Sequence, residues 1–540
     1  MNDELLRVQD LQIAFSKERN WLPVVKNINF TIHAGETVAL VGESGSGKTL
    51  TALAIMQLLP ETARVHVASH IWLKGQDILQ LPEVAMRKVR GKRIGLIFQD
   101  AMTALNPVLT IGEQIDEVLR SHSRLSRNMR KKQLLAWLTE VGIDQPERVA
   151  ASYSHQLSGG MRQRALIAMM LAAEPELLIA DEPTSALDVT LAAQILQLLK
   201  SLKTKLGMSL LLITHDLGIV AQIADQVIVM HEGKLVEQTP ASIFFRQPTQ
   251  EYSRHLLASL PNWQNRQRPI EPVSTITPIL NVEDLRVYFP VRKGLWQRTV
   301  GYLKAVDNVD FSLRPGRTLA LIGESGSGKT TVGRSIVRLL KPTGGRILFE
   351  GRDLAVISNA RFRKLRQDLQ IVFQDPYAAI NPRMLVGEII AEGLVAYGLK
   401  LTREQRETRI AELLQLVGLT TDSQWQYPHE FSGGQRQRIC IARSLALQPK
   451  VIICDEPTSA LDATVQMQVL RLLEKLQIEL GLSYLLITHN FAVVAYLADE
   501  VAVMREGKIV EQGEVQQILN NPAHPYTQHL LACVPKVPTL

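Results

Sequence analysis

Cysteine is scarce in this chain: three in 540 residues. Cys440, Cys454 and Cys533 have no metal-ligand spacing, which speaks against a cysteine-built metal site. Cys440 falls in a helical pattern and Cys454 in an apolar strand pattern, so buried free thiols are expected. Long hydrophobic runs are missing too. The longest, residues 165–173, stops at Glu174, far short of the ~20 residues a membrane-spanning helix needs. The opening Met1-Asn2-Asp3-Glu4 has neither the basic end nor the apolar stretch of a signal peptide. The chain is therefore expected to stay in the cytosol, with any membrane role exercised through partners. No sign of charge is in large excess. The net charge is +7, with basic residues scattered apart from Arg292, Lys293, Arg298 and Lys304, which makes no case for nucleic acid.

What is present is ordinary in bulk and distinctive in detail. Apolar residues make up 46% and charged residues 21%, as in soluble globular proteins. The chain is too long for one compact domain, and a repeat divides it. Gly42-Glu43-Ser44-Gly45-Ser46-Gly47-Lys48-Thr49 returns as Gly323-Glu324-Ser325-Gly326-Ser327-Gly328-Lys329-Thr330. This is the P-loop pattern G-x-x-x-x-G-K-[ST], whose backbone N–H groups converge on phosphate. An apolar run, 37–41 or 318–322, leads into each copy as a buried strand would, and a helical pattern follows. Lys48 and Lys329 are expected to reach the β- and γ-phosphates, and the Thr49 and Thr330 hydroxyls to hold Mg²⁺.

The remaining motifs also come twice. A strand pattern ends at Gln99, and its copy at Gln374, each placed to meet Mg²⁺ or water at a sheet's carboxyl edge. Segments 100–156 and 375–430 carry helical periodicity. Ser158-Gly159-Gly160 and Ser432-Gly433-Gly434 then open Arg/Gln-rich helical runs, which makes each a second anion site or a plain helix cap. Four apolar residues lead to Asp181-Glu182, and four to Asp455-Glu456. Adjacent carboxylates at a buried strand end call for a cation or a proton-transfer role. Asp181 and Asp455 are assigned to Mg²⁺ through water, and Glu182 and Glu456 to general-base activation of the attacking water. Ser185-Ala186-Leu187-Asp188 and its copy 459–462 follow. His215 and His489 each stand 34 positions after the aspartate, which favours a γ-phosphate contact over a merely structural histidine. Upstream of each P-loop lie Phe15 and Phe289, placed to stack on a nucleotide base or to fill a core.

Spacing argues duplication. Asp181 follows Ser158 by 23 positions, as Asp455 follows Ser432. The copies are offset by 274 there and by 281 at the P-loops, so the length differences fall in loops. The expected organisation is a domain over 1–260, a Pro-, Asn- and Gln-rich linker over 261–278, and a second domain over 279–540. Residues 291–302 form a basic, aromatic-bearing insertion without a first-half counterpart, expected as a solvated loop, with a contact to membrane headgroups or a partner as the lesser alternative.

P-loop, Gln, Leu-Ser-Gly-Gly (Phe431 opening the second copy), acid pair, Ser-Ala-Leu-Asp and His, twice in this order, resemble the ATP-binding cassette (ABC) ATPases along nearly the whole chain. The resemblance implies an α/β fold: two tandem nucleotide-binding domains, each a P-loop core with a strand-rich N-terminal part and a helical subdomain. It also implies ATP held between the P-loop of one half and the signature of the other. Lys48, Gln99, Glu182 and His215 would work with Ser432, Gly433 and Gly434; Lys329, Gln374, Glu456 and His489 would work with Ser158, Gly159 and Gly160. Met161 departs from the usual Gln or Glu of that family. The stretches 99–107 and 374–382, each ending in Asn-Pro, and the tail 521–527 with Leu530, Leu531 and Pro535 are similar to dipeptide/oligopeptide/nickel importer ATPases in their fused two-cassette form. The first-half tail, 247–253, is a weaker copy. Some relatives carry a four-cysteine iron–sulfur site near this tail; with Cys533 alone, none is expected.

The expected function is thus ATP hydrolysis powering a bacterial importer of peptides or related small solutes. The chain would sit peripherally on the cytoplasmic face of the inner membrane, with two integral-membrane permease subunits docked beside Gln99 and Gln374. A periplasmic solute-binding protein would work through those permeases. A tandem ABC ATPase acting on ribosomes is the rival, weakened by the short Pro-rich linker. An exporter ATPase is weakened by the importer-like tail.

Overall fold

The computed structural model describes residues 3–17, 20–99, 101–185, 187–259, 277–293, 298–398, 401–459 and 461–535, without the side chains of 17, 102, 293 and 298. Asp100, Ala186, Ala460 and positions 261–276 of the expected linker lie outside the described residues. Contacts group the chain into two compact units, Met1–Ser259 and Leu260–Cys533, with Val534–Leu540 counted with the first.

Each unit is built on two sheets. In the first unit, Glu4–Lys17 and Asn20–His33 form a long antiparallel hairpin, joined by Ala63–Val65, His70–Leu73 and Gln76–Asp77. Segment 5–32 reads in sequence as short strands broken by turn residues; in the structure it is two 14-residue strands with bulges. Asp10 (φ 52°) and Asn27 (φ 54°) sit in left-handed conformation at these irregularities, which short polar residues tolerate. Asp284 and Asn308 repeat the arrangement in the second unit.

The second sheet of the first unit runs Lys234–Pro240, Gln226–His231, Thr37–Val41, Ser209–Ile213, Leu177–Asp181, Ile94–Ile97. All neighbours are parallel except the Lys234–Pro240 edge. The second unit repeats the order with Lys508–Glu514, Glu500–Arg505, Thr318–Ile322, Ser483–Thr488, Val451–Asp455 and Leu369–Val372. A parallel sheet covered on both faces needs strands that are apolar throughout, and Thr37–Val41 and Leu177–Asp181 are buried at every position. Alternation sends their side chains to opposite layers. Leu177 and Ile179 join Val38, Leu40 and Leu211 in a core shared with the antiparallel sheet. Leu178 and Ala180 join Leu210 and Leu212 in a core shared with helices.

Those helices are Ile111–His122, Arg127–Glu140, Pro146–Ala150 and Gly159–Leu171 in the first unit. Thr110 and Glu113 close a capping box at the start of Ile111–His122, satisfying amides that helix geometry leaves open. Val386–Ala396, Arg403–Leu416 and Gly433–Leu445 are the second-unit equivalents. The insertion 291–302 departs from the solvated-loop expectation. Val291 pairs with Gly301 and Arg292 with Thr299, prolonging the hairpin of Leu280–Lys293 and Arg298–Leu313; Val291, Thr299, Val300 and Tyr302 favour extended backbone. Residues 294–297 lie outside the described residues. Among the described residues no helix is long and apolar enough to cross a membrane.

Candidate functional site

The P-loops form at the carboxyl ends of Thr37–Val41 and Thr318–Ile322 and run into helices Lys48–Ile55 and Lys329–Ile336. Gly42 and Gly323 have φ of 148° and 152°. A Cβ at either would come within 2.1 Å of the Met230 or Met504 carbonyl oxygen, so only glycine fits. Gly47 and Gly328 stand at the N-caps without a side-chain cap, leaving the first helical amides facing the loop. The Lys48 ammonium is buried and donates to the Gly42 and Glu43 carbonyls, both at 2.8 Å. Lys329 does the same to Gly323 at 2.8 Å and Glu324 at 2.7 Å. Ser46 and Ser327 are buried beside these lysines, whereas Ser44, Gly45, Ser325 and Gly326 are exposed.

The acid pairs end the neighbouring strands. Asp181 and Asp455 are nearly fully buried. Burial pushes the Asp181 carboxyl up to about 6, opposed by a hydrogen bond from Thr49 and the charge of Lys48. In the second unit Thr330 Oγ1 donates to Asp455 Oδ1 at 2.9 Å, and burial likewise raises the Asp455 carboxyl. A buried carboxylate touching a hydroxyl, next to a second carboxylate, is a set of hard oxygens whose unfavourable charge a Mg²⁺ ion would offset. The residues present fit that ion.

Glu182 and Glu456 turn away from the strand in left-handed conformation, φ 46° and 48°, a strained state for a non-glycine residue that the fold must impose. The backbone N–H groups donate to the Ile213 and Ile487 carbonyls of the adjacent strand, each at 2.8 Å. The carboxylates are then gripped at both oxygens. Gln99 Nε2 donates to Glu182 Oε2 at 2.7 Å and His215 Nδ1 lies 2.8 Å from Oε1. Gln374 and His489 make the same contacts to Glu456, at 2.7 and 3.0 Å. Burial pushes the Glu182 pKa up, but the His215 hydrogen bond and charge, Lys48 and Gln99 outweigh it and hold the carboxyl below its ordinary range. Burial alone would lower the His215 pKa; the Glu182 hydrogen bond and charge, with Asp216, raise it instead. An ionised carboxylate held by an amide and an imidazole can accept a proton from water.

Sequence reasoning places each of these groups near phosphate or metal without foreseeing the Gln–Glu–His contact, which joins residues 83 and 33 positions apart. It also misses Asp216 and Asn490, whose side chains cap the helices Leu217–Ile223 and Phe491–Leu497 right after each histidine. Asp or Asn before an apolar helical run is a readable N-cap signal.

The Ser-Gly-Gly motifs stand at the N-termini of Gly159–Leu171 and Gly433–Leu445, on the helical side of each unit. Ser158 Oγ accepts from Met161 N, and Ser432 Oγ from Gln435 N, so both serines cap their own helices while each hydroxyl keeps a proton to donate. Gln435 Oε1 accepts in return from Ser432 N at 2.9 Å; Met161, with no such acceptor, leaves that reciprocal bond unmade. The two glycines differ. Nothing lies within 4 Å of a Cβ at Gly159, and at Gly433 the nearest atom is 3.7 Å away. At Gly160 a Cβ would come within 2.3 Å of Leu191, and at Gly434 within 2.1 Å of Val465. Phe15 is partly buried on the hairpin strand opposite Leu22, and Phe289 is 38% exposed opposite Leu303.

Comparison with known proteins gives this geometry its family. The family "ABC transporter" matches residues 25–185 and 306–459, and the family "Oligopeptide/dipeptide transporter, C-terminal region" matches 236–285 and 510–539. The chain is 49% identical over 528 residues to the peptidoglycan transport ATP-binding protein YejF of Agrobacterium fabrum, covering 98% of this chain and 96% of that protein. It is 45% identical over 558 residues to the glutathione import ATP-binding proteins GsiA of Shigella flexneri and Escherichia coli K12, covering 98% of this chain and 89% of theirs. The chain belongs to the ABC transporter family as an ATP-hydrolysing import subunit with two cassettes, each followed by an oligopeptide/dipeptide transporter C-terminal region.

Proposed function

We propose that the chain powers a bacterial importer of peptides or related small solutes, hydrolysing ATP at two sites, each pairing the P-loop of one cassette with the Ser-Gly-Gly of the other. The observation that carries the catalytic part is the Gln–Glu–His cluster beside a buried P-loop lysine, present in both units. Similarity along the whole chain to import ATP-binding proteins supports the transport part.

In this reading the convergent loop amides and Lys48 or Lys329 bind the β- and γ-phosphates. Phe15 and Phe289 stack on the base. Thr49 with Asp181, and Thr330 with Asp455, hold Mg²⁺ with Gln99 and Gln374 nearby; bound there, the ion would neutralise phosphate charge. Glu182 and Glu456, ionised at neutral pH, take the proton of the attacking water, while Gln99 or Gln374 and His215 or His489 keep each carboxylate aimed. The domains are 1–260 and 279–540, joined by the linker 261–278. The chain lies on the cytoplasmic face of the inner membrane and binds no nucleic acid. Two permease subunits dock on the helical segments beside Gln99 and Gln374, and a periplasmic binding protein delivers solute to them.

The test is Glu182→Gln combined with Glu456→Gln, which keeps the size but replaces one accepting oxygen with an NH₂ group and removes the base. ATP binding is expected to persist while turnover falls roughly 10²–10⁴-fold; near-normal hydrolysis would refute the assignment. Affinity capture from solubilised native membranes should recover two polytopic membrane proteins. Recovery of ribosomes alone would refute the transport reading.

A further inference from the structure

Behind each cassette core lies a small tail whose anchoring is unusually specific. In the second unit, Glu511 on the edge strand Lys508–Glu514 accepts from the backbone N–H groups of Ala523, at 2.7 Å, and His524, at 3.2 Å. His524 Nδ1 in turn accepts from Tyr526 N at 3.1 Å, capping the helix Pro525–Ala532. Thr527 is fully buried, and Tyr526 is nearly so, its ring 5.0 Å from the Arg505 guanidinium. The Tyr526 hydroxyl reaches the second P-loop. It accepts from the backbone N–H of Glu324, inside the second P-loop, at 3.3 Å, and faces the Glu324 carboxylate as well.

Glu324 is thereby held from both ends. Its N–H is bound to the tail, while its carbonyl is bound by the Lys329 ammonium at 2.7 Å. Its neighbour Gly323 lies against the carbonyl of Met504, the residue before Arg505. The P-loop entrance, the end of strand Glu500–Arg505 and the tail helix thus pack as one body. In the first unit Tyr252 takes the corresponding position, its ring stacked 3.9 Å from His231.

We propose that Tyr526 is a positioning residue for the second P-loop: its hydroxyl fixes the Glu324 peptide and makes the tail helix part of the nucleotide-binding apparatus. The proposal rests on Lys329 and its loop being the nucleotide site. A loop held in its binding curvature loses less freedom when ATP arrives. Tyr526 touches no reacting atom, so its removal should weaken binding and spare the chemical step.

The test uses the full chain carrying Lys48→Ala, so that binding of a fluorescent ATP analogue with Mg²⁺ is read at the second P-loop. Adding Tyr526→Phe removes the hydroxyl and keeps the ring over Arg505. The dissociation constant is expected to rise about 2- to 10-fold, the scale of one hydrogen bond, while the thermal unfolding midpoint falls by only a few degrees. With Lys48 intact, Tyr526→Phe should raise the KM for ATP and leave kcat in place. An unchanged dissociation constant, or a loss confined to kcat, would overturn the proposal. Lys48→Ala with Lys329→Ala is the control for the reading beneath it: undiminished binding there would refute the P-loop assignment itself, separately from the role of Tyr526.

Discussion

The two glycines of each signature motif, identical in sequence, should respond in opposite ways to one added methyl group. At Gly434 an alanine Cβ would stand 2.1 Å from Val465 Cγ1, well inside contact distance. Val465 is β-branched and sits in the first turn of Ala463–Leu480, where its rotamer freedom is small. Overpacking of this kind costs about 1–3 kcal/mol. The intrinsic preference of helices for alanine returns up to ~1 kcal/mol, leaving Gly434→Ala destabilised by about 0–3 kcal/mol. For a unit of this size that is a fall of up to roughly 12 °C in its unfolding midpoint. At Gly433 the nearest atom to a Cβ is 3.7 Å away, so Gly433→Ala should hold or slightly raise the midpoint while lowering ATP turnover through crowding of the exposed motif. Differential scanning calorimetry of the full chain, with ATPase assays on the same preparations, reads both quantities. Equal midpoints for the two variants would refute the packing argument. In the first unit the obstacle at Gly160 is the flexible end of Leu191, so Gly160→Ala should cost less than Gly434→Ala.

The Glu182–His215 pair predicts a definite pH behaviour. Because the folded His215 pKa is raised above 6.5, its part of the stabilisation is complete below that pH and lost as pH rises through the folded value. Because the Glu182 pKa is lowered below 4.5, the carboxylate's part is present above that pH and lost as pH falls through the folded value. An NMR titration of labelled histidine should therefore give a His215 midpoint above 6.5, and Glu182→Gln should move it down, since burial then dominates. A midpoint indifferent to that substitution would refute the pairing. Among the cysteines, burial pushes Cys440 to about 11 and Cys454 to about 12, and Cys533 is part-exposed. Brief alkylation of the native protein at pH 8 should mark Cys533 first, as read by peptide mass spectrometry; faster labelling of Cys454 would contradict its position in the central sheet.

The legible features are those whose cause is local. A P-loop is recognisable because its glycines, lysine and hydroxyl lie within eight consecutive residues, and the strand before it because it is apolar throughout. Asp181-Glu182 could be placed at a strand end for the same reason. Where the cause is distant, residue type alone misleads. Asp10, Asn27, Asp284 and Asn308 look like turn residues, yet each sits in an irregularity of a long hairpin, because the paired strand continues past them. Residues 291–302 look like a loop, yet the strand opposite gives 291–293 and 298–302 a ladder to join.

Residue type and order carry the chemistry available to this protein and its duplication: two phosphate loops, two acid pairs, two signatures and two histidines in constant order. Tertiary structure alone decided which donor meets which acceptor. Gln99, Glu182 and His215 converge because parallel pairing sets Ile94–Ile97, Leu177–Asp181 and Ser209–Ile213 side by side, bringing their carboxyl ends to one edge. Burial at that edge then shifts the protonation of each group. The two signature glycines, alike in the chain, differ because only one of them faces the helix that begins at Val189 or Ala463. Neighbours brought together by strand order leave no trace in local spacing, and their contacts set the geometry of the site.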